Sequence, residues 1–494
     1  MNLTTLLDMA AEADGDHIAL ATETEGLSVD EFRAAARRGA ALLLRAKASA
    51  LVHLAENGPA FPVALFAAAL AGVPFVPLNY RLGEAQLTAL LAQHPGAYVL
   101  TDRQHSAPAG PEAVAVDSPQ EWLDTLNSAS PAEPPAIEPE PESTAVIIYT
   151  SGTTSAPKGV LLRHENLVSY VIGTVEFAGA QPSEASLLCV PPYHIAAVSA
   201  VLTNLYAGRR LVILGAFSPA RWLELVRRER VTNVMVVPTI LARIMDDDGD
   251  RSVPSLRTLA YGGAPMPPRV IERALREWPH VGFVNAYGLT ETSSTVAVLG
   301  PEDHQKAYAA ADPEERARLH SVGRPIPGVE VEIRDASGTA RPAGSSGRIW
   351  IRGAQVSGAY AGQESGRTDG WFDTRDLGHL DTAGFLFVEG REDDTIIRGA
   401  ENIAPAEIED VLLRQDGVAD TVVVGVPDEE WGQRIEAVVT PERGAELDPE
   451  LLRAAVRTAL RGAKTPDRIA VWDELPRTDT GKIRRRDIVA ALGG

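Results

Sequence analysis

At 494 residues the chain is long enough to bury a large core and to divide into two to four compact units. Its 67 acidic residues outnumber the 46 basic ones, for a net charge of −21. That balance argues against nucleic acid or an anionic membrane as the main partner, because both reward basic patches.

The first residues, MNLTTLLDMAAEADGD, are acidic and carry no basic leader, so no secretory signal is expected. Residues 32–46 are amphipathic at helical spacing, 50–55 read as a strand, 61–72 as a buried helix and 73–79 as a strand again. Such alternation predicts a largely parallel, layered sheet. The longest apolar stretch, near residues 64–78, is broken by Gly72 and Pro74 and is too short to span a bilayer. A cytoplasmic protein without a membrane span is the expectation. Residues 130–143 form a Pro/Glu-rich connector that holds neither a helix nor a central strand. The single cysteine, Cys189, lies in an apolar run before a Pro-Pro pair; it excludes an internal disulfide and reads as a buried structural thiol. A second alternating unit follows, with a strand at 211–214, a helix at 219–230 and strands at 231–238 and 256–263. From about Glu330 short strands with turns predict a smaller β subdomain. Beyond Gly390 a compact α+β pattern follows, with no internal repeat, and no fused carrier module is expected.

The most informative stretch is YTSGTTSAPKGV, residues 149–160, directly after the apolar run AVII. Hydroxyls and bare backbone N–H groups suit a polyphosphate, and Lys158 adds a compact charge. It is not a Walker loop: Pro157 precedes the lysine, Gly159 follows it, and residues 160–163 read as a strand rather than a helix. The prediction is a hairpin whose turn wraps phosphates. Lysine is rare here, five against forty-one arginines, so a retained lysine hints at a site that needs a small, mobile ammonium.

This string, with His164 and Asn166 just beyond it, closely resembles the phosphate loop of the adenylate-forming superfamily: acyl-CoA synthetases, peptide-synthetase adenylation domains and beetle luciferases. Later motifs, in the family's order, extend the resemblance over nearly the whole chain. It implies that Thr150, Ser151, Gly152, Thr153, Thr154 and Lys158 cradle the phosphates of ATP. NAYGLTET, residues 285–292, is similar to the motif in which Tyr287 and Gly288 face the adenine, Thr290 approaches the phosphates and Glu291 holds Mg2+. A carboxylate suits a hard cation and an aromatic face suits a base. In residues 369–394, Asp376 matches the carboxylate that grips the ribose hydroxyls, Arg391 a neighbour of the same sugar, and Asp393 the hinge. Gly399 matches a loop lining the thiol tunnel. Lys482, in LPRTDTGKIRRRDI, matches the lysine that neutralises the reacting carboxylate and α-phosphate. Lys464 falls near a family lysine and receives no role.

His194, in PPYHIAAVSAV, matches a residue beside the substrate carboxylate; with Lys482 and Thr290 it completes the catalytic candidates. Small residues at Ala196, Ala197, Gly262 and Gly263 predict a roomy acid pocket. No acidic residue occurs in 195–199 to pair with an α-amine, and a bare ammonium buried there would be costly. A medium or bulky carboxylic acid without an α-amino group is therefore expected.

The resemblance implies an α/β fold: a large N-terminal domain (1–392) of layered β-α subdomains plus a β subdomain, and a small mobile α+β C-terminal domain (393–494). It implies an AMP-forming acid:CoA ligase using ATP, Mg2+ and coenzyme A. A separate acyl carrier protein as acceptor and a homodimer are left open, as are a member that only thioesterifies a preformed adenylate and a non-catalytic nucleotide-binding homologue. Three positions depart from the family. Ser155, Arg375 and Ala400 stand where glycine is usual, and Ser155 and Arg375 are expected to hinder adenylation more than thioesterification.

Overall fold

The computed structural model describes the chain except residues 23–25, 103–111, 130–137, 151–156, 364–365, 399–400, 429–430, 461, 479–480 and 494. Two large sheets dominate. A six-stranded sheet gathers the first unit and the hairpin Thr144–Thr150/Lys158–Arg163; a nine-stranded sheet gathers most of the second unit, from Ile18–Ala21 to Arg324–Pro325. Most neighbours are parallel, as the β-α alternation requires, with antiparallel pairs at the edges.

The helices between the sheets carry the core. Val29–Ala46 opens with a capping box between Ser28 and Glu31 and turns Phe32, Ala36, Gly39, Ala40 and Leu43 inward. Gly39 is required there, because a Cβ would lie 2.8 Å from that of Ala67 on the helix Ala60–Ala71. That second helix is buried on almost every side, which explains its lack of a polar face. The helix expected over 219–230 stops at Arg228, because Arg230 takes a left-handed conformation (φ 51°) that leads into the strand Asn233–Val236. Cys189 is buried, as expected of a structural thiol.

Residues after 328 change character, as the sequence anticipates. A five-stranded antiparallel sheet, built on Val329–Arg334, Gly347–Gly353 and Trp371–Leu380, completes the large domain. Its last strand, Leu386–Arg391, runs through the short turn Glu392–Asp394 into the C-terminal part. There a long hairpin, Val418–Asp428 with Gly432–Pro441, packs against the helices Pro405–Leu413 and Pro449–Ala459. The fold is thus an α/β assembly with a large N-terminal domain of several sheets and a small C-terminal domain. Among the described residues no helix is long and apolar enough to cross a membrane.

The C-terminal part is docked on the large domain. Gly481 sits so close to the helix Pro238–Met245 that a Cβ would lie 2.6 Å from Thr239 Oγ1. Arg269 pairs with Glu442 at the rim of the same interface. This docking carries Lys482 to the large domain.

Candidate active site

The site is assembled from three strand ends and one visiting loop. The strand Gly282–Leu289 presents Tyr287, whose hydroxyl donates to Asp376 Oδ2 at 2.6 Å. Asp376 lies on Trp371–Leu380, directly across from Arg391, whose Nη1 is 3.4 Å from Asp376 Oδ1. Burial raises the Asp376 carboxyl above the usual carboxylate range, against the pull of Arg391, the Tyr287 hydrogen bond and Lys482. Gly288 is glycine for a packing reason: a Cβ would lie 1.8 Å from the Ser294 carbonyl oxygen on the neighbouring strand.

Thr290 and Glu291 follow in the single turn Thr290–Thr292. Glu291 Oε1 accepts a hydrogen bond of 2.9 Å from the Tyr360 hydroxyl. The Tyr360 ring in turn lies 5.9 Å from Lys158 Nζ, and its segment bridges onto Val160, so the hairpin and Glu291 are held together. Thr150 and Lys158 face each other across the hairpin mouth. Ser151, Gly152, Thr153, Thr154 and Ser155 lie outside the described residues, as do Gly399 and Ala400. His164 and Asn166 brace the fold: His164 Nδ1 accepts from the Leu3 backbone N–H, and Asn166 donates to the Ala354 carbonyl.

Lys482 joins the pieces. Burial, helped by Arg391, lowers its pKa below the usual lysine range, while Asp376 and Glu291 oppose the shift. Its charge is also felt at His194, whose imidazole is pushed down to about 3 by burial, Lys482 and Arg81. His194 Nε2 is buried without a hydrogen-bond partner among the described residues, and the ring rests on Tyr193 with centroids 4.5 Å apart. One ammonium therefore stands among the two carboxylates and the imidazole that the sequence places hundreds of residues away.

Two of the expected pocket residues have packing reasons for their small size. Ala197 is fully buried in the hydrophobic core; its helix, Ile195–Ala207, turns that face inward. Gly262 is small because the neighbouring strand demands it, since a Cβ would lie 2.2 Å from the Ala286 carbonyl oxygen. Ala196 is partly buried, and Gly263 adopts φ +84°, where a Cβ would lie 3.9 Å from Val237 Cγ1. Tyr360 and Arg81 belong to the site and escaped sequence reasoning. Neither sits in a motif; backbone bonds from the Ser357 and Gly358 N–H groups to the Glu291 carbonyl and the bridge to Val160 bring Tyr360 to Glu291.

Arg375 adopts a left-handed conformation (φ 58°), with its N–H bonded to Asp373 Oδ1 at 2.9 Å. Its guanidinium forms no ion pair with Asp376, whose partners are Tyr287 and Arg391. The cation therefore leaves the buried carboxylate alone; Arg375 is exposed, and its charge is felt at Tyr360. A non-glycine residue held in this region costs about 1–2 kcal/mol. Arg375→Gly is accordingly expected to raise the thermal midpoint while changing adenylation by no more than about fivefold, the ceiling for an exposed charge. Melting curves and ATP–pyrophosphate exchange on the same preparation check both parts; a lower midpoint would contradict the strain argument.

Among the described residues no cluster of three or more His, Cys, Asp or Glu could hold a metal ion. A single carboxylate such as Glu291, beside a polyphosphate, instead fits Mg2+, which is normally held by one or two carboxylates together with substrate phosphates.

The AMP-binding enzyme family matches residues 7–361, and the AMP-binding enzyme C-terminal domain matches residues 407–482. A feruloyl-CoA synthase of Amycolatopsis is 34% identical, covering 90% of this chain and 89% of its own. The ATP- and magnesium-bound o-succinylbenzoate coenzyme A synthetase (MenE) of Bacillus subtilis is 29% identical, with a TM-score of 0.84 over 97% of this chain and 98% of its own. ATP-bound MatB of Rhodopseudomonas palustris is 26% identical, with a TM-score of 0.88 over 100% of this chain and 99% of its own. The chain belongs to the AMP-binding, adenylate-forming family, and within it to the AMP-forming acyl-CoA ligases.

Proposed function

We propose that this enzyme adenylates a medium or bulky carboxylic acid lacking an α-amino group and then transfers the acyl group to coenzyme A. The observation that carries the reading is the position of Lys482, whose charge acts at once on Asp376, Glu291 and His194.

In the first step the carboxylate attacks the α-phosphorus of ATP and pyrophosphate departs. Negative charge spreads over the phosphates, so positioning and electrostatics supply the catalysis. Asp376 and Arg391 hold the ribose, Tyr287 and Gly288 the adenine, and Thr150, Thr290, Lys158 and the loop N–H groups the phosphates. Mg2+ bound at Glu291 would add a Lewis-acid charge to the same oxygens. Lys482 bridges the carboxylate and the α-phosphate, and His194 flanks the acid as a neutral imidazole. In the second step the thiol attacks the mixed anhydride and AMP leaves. Lys482 must withdraw for that, and a turn of residues 393–494 about Asp393 provides the motion.

The substrate class rests on three supports. Residues 195–199 offer no carboxylate, Ala196 and Gly263 are small, and relatives at about this distance act on acids as large as ferulate and o-succinylbenzoate. In a panel with ATP and coenzyme A, an aromatic or chain-like acid is expected to outcompete both acetate and α-amino acids in thioester formation. Selective turnover of an α-amino acid would refute the assignment. Product formed only when an acyl carrier protein replaces coenzyme A would transfer the second step to that acceptor.

A further inference from the structure

The turn between the two parts of the chain contains three consecutive acids, Glu392, Asp393 and Asp394, and they are held very differently. Glu392 is tied to the large domain. Its Oε1 accepts from Arg348, with Nε at 3.0 Å and a second contact from Nη2. Arg348 stands on the strand Gly347–Gly353 and is itself anchored to Asp373 on the neighbouring strand at 3.3 Å. Asp394 is tied to the C-terminal part. Its Oδ2 lies 3.4 Å from Arg485 Nε, at the start of the helix Arg485–Leu492. Arg485 also donates to Glu409 Oε1 at 2.9 Å and to the Val423 carbonyl, so it is fixed to a helix and a strand of the C-terminal core. Glu409 accepts from the Val423 N–H at 2.8 Å and closes the ring. Asp393, between the two, is exposed and forms no ion pair or side-chain hydrogen bond with any described residue.

We propose that Arg348 and Arg485 are positioning residues that clamp Glu392 to one domain and Asp394 to the other, confining the turn of the C-terminal part to Asp393. The proposal rests on the reading of domain alternation above and adds to it what makes the pivot one residue wide. A chain segment turns where its torsions are least restrained. Each clamp makes its acid part of a rigid body, so rotation at 392 or 394 must first break an arginine–carboxylate contact. Rotation at 393 breaks neither. A pivot one residue wide returns Lys482 to the same place in every cycle, which a catalytic ammonium needs. The clamps leave behind no stranded charge when one acid is removed: without Glu392, Arg348 keeps Asp373, and without Asp394, Arg485 keeps Glu409.

The test is second-site release. Asp393→Pro fixes φ at the pivot and is expected to keep one half-reaction and lose the other, measured as pyrophosphate release from ATP and acid, and as thioester formation from a preformed acyl-adenylate. Adding Glu392→Ala or Asp394→Ala to this variant frees a neighbouring residue to turn and is expected to restore the lost half-reaction by about fivefold, the scale of one partly exposed ion pair. Glu330→Ala, which breaks a remote pair with Arg352 in the same sheet, is expected to restore nothing. Recovery in either clamp variant but not in the control supports the proposal. No recovery in both, or equal recovery in the control, overturns it. Full turnover by Asp393→Pro alone would instead overturn the assignment of the pivot.

Discussion

Lys482→Ala is expected to lower pyrophosphate release by about 10²–10³-fold, the usual cost of one preorganised stabiliser, while thioester formation from a supplied acyl-adenylate persists. The asymmetry follows from placement. In the docked arrangement the Lys482 charge acts on Asp376, Glu291, Arg391 and His194, where charge builds on the α-phosphate. Once the anhydride has formed, that charge has left with pyrophosphate, and the lysine has no further electrostatic task. Equal loss in both half-reactions would sink the role. The same residue sets an alkaline limit. Burial favours the neutral amine and lowers its pKa, and the protonated form is the useful one, so kcat/KM for adenylation should fall on the alkaline side at a pH below the ordinary lysine range. Lys482→Arg, which stays charged, should move that limb away. His194 behaves oppositely: held neutral down to about pH 3, it should contribute no limb between pH 5 and 8.

Asp376→Asn is expected to raise the KM for ATP by about 10–100-fold, since a hydrogen bond to a charged group is worth roughly 1.5–3 kcal/mol. Yet it should leave the thermal midpoint of the ligand-free protein at pH 7 unchanged or higher. Burial raises the folded-state pKa of this carboxyl. A group so shifted binds its proton more readily in the folded than in the unfolded chain. The native state therefore loses stability as pH rises through the unfolded and then the folded pKa. At neutral pH the ionised carboxylate is a cost that the ribose hydroxyls would offset, and the amide removes it while keeping an acceptor for Tyr287. Such an exchange of stability for binding is common where a site is preorganised. A fall in the apo midpoint together with unchanged KM would mean that Asp376 is a structural acid.

Much of this site is legible in the sequence because its motifs sit at strand ends, where chemistry and chain geometry coincide. The apolar runs AVII and VGFV announce the strands that deliver Thr150 and Tyr287, and the antiparallel pair Thr144–Thr150/Lys158–Arg163 forms where Pro157 and Gly159 deny a helix. Small residues are the least legible. Ala197 and Gly262 look like pocket residues in one dimension, but a core helix and a neighbouring strand dictate their size. Tyr360 was invisible for another reason: the segment that bears it reaches Glu291 through a backbone bridge to Val160, 200 residues earlier in the chain, and nothing local encodes that register. The clamps at Glu392 and Asp394 show the same limit. EDD reads as one acidic turn, and only the tertiary positions of Arg348 and Arg485 divide it between two domains.

The most direct test of the central claim is ATP–pyrophosphate exchange by the wild-type enzyme, measured with each acid of the panel before any thiol is added. The account predicts exchange that depends on the acid and on Mg2+, strongest with a medium or bulky acid that lacks an α-amino group. Absence of exchange with every acid, from a preparation that still converts preformed acyl-adenylates to thioesters, would contradict it.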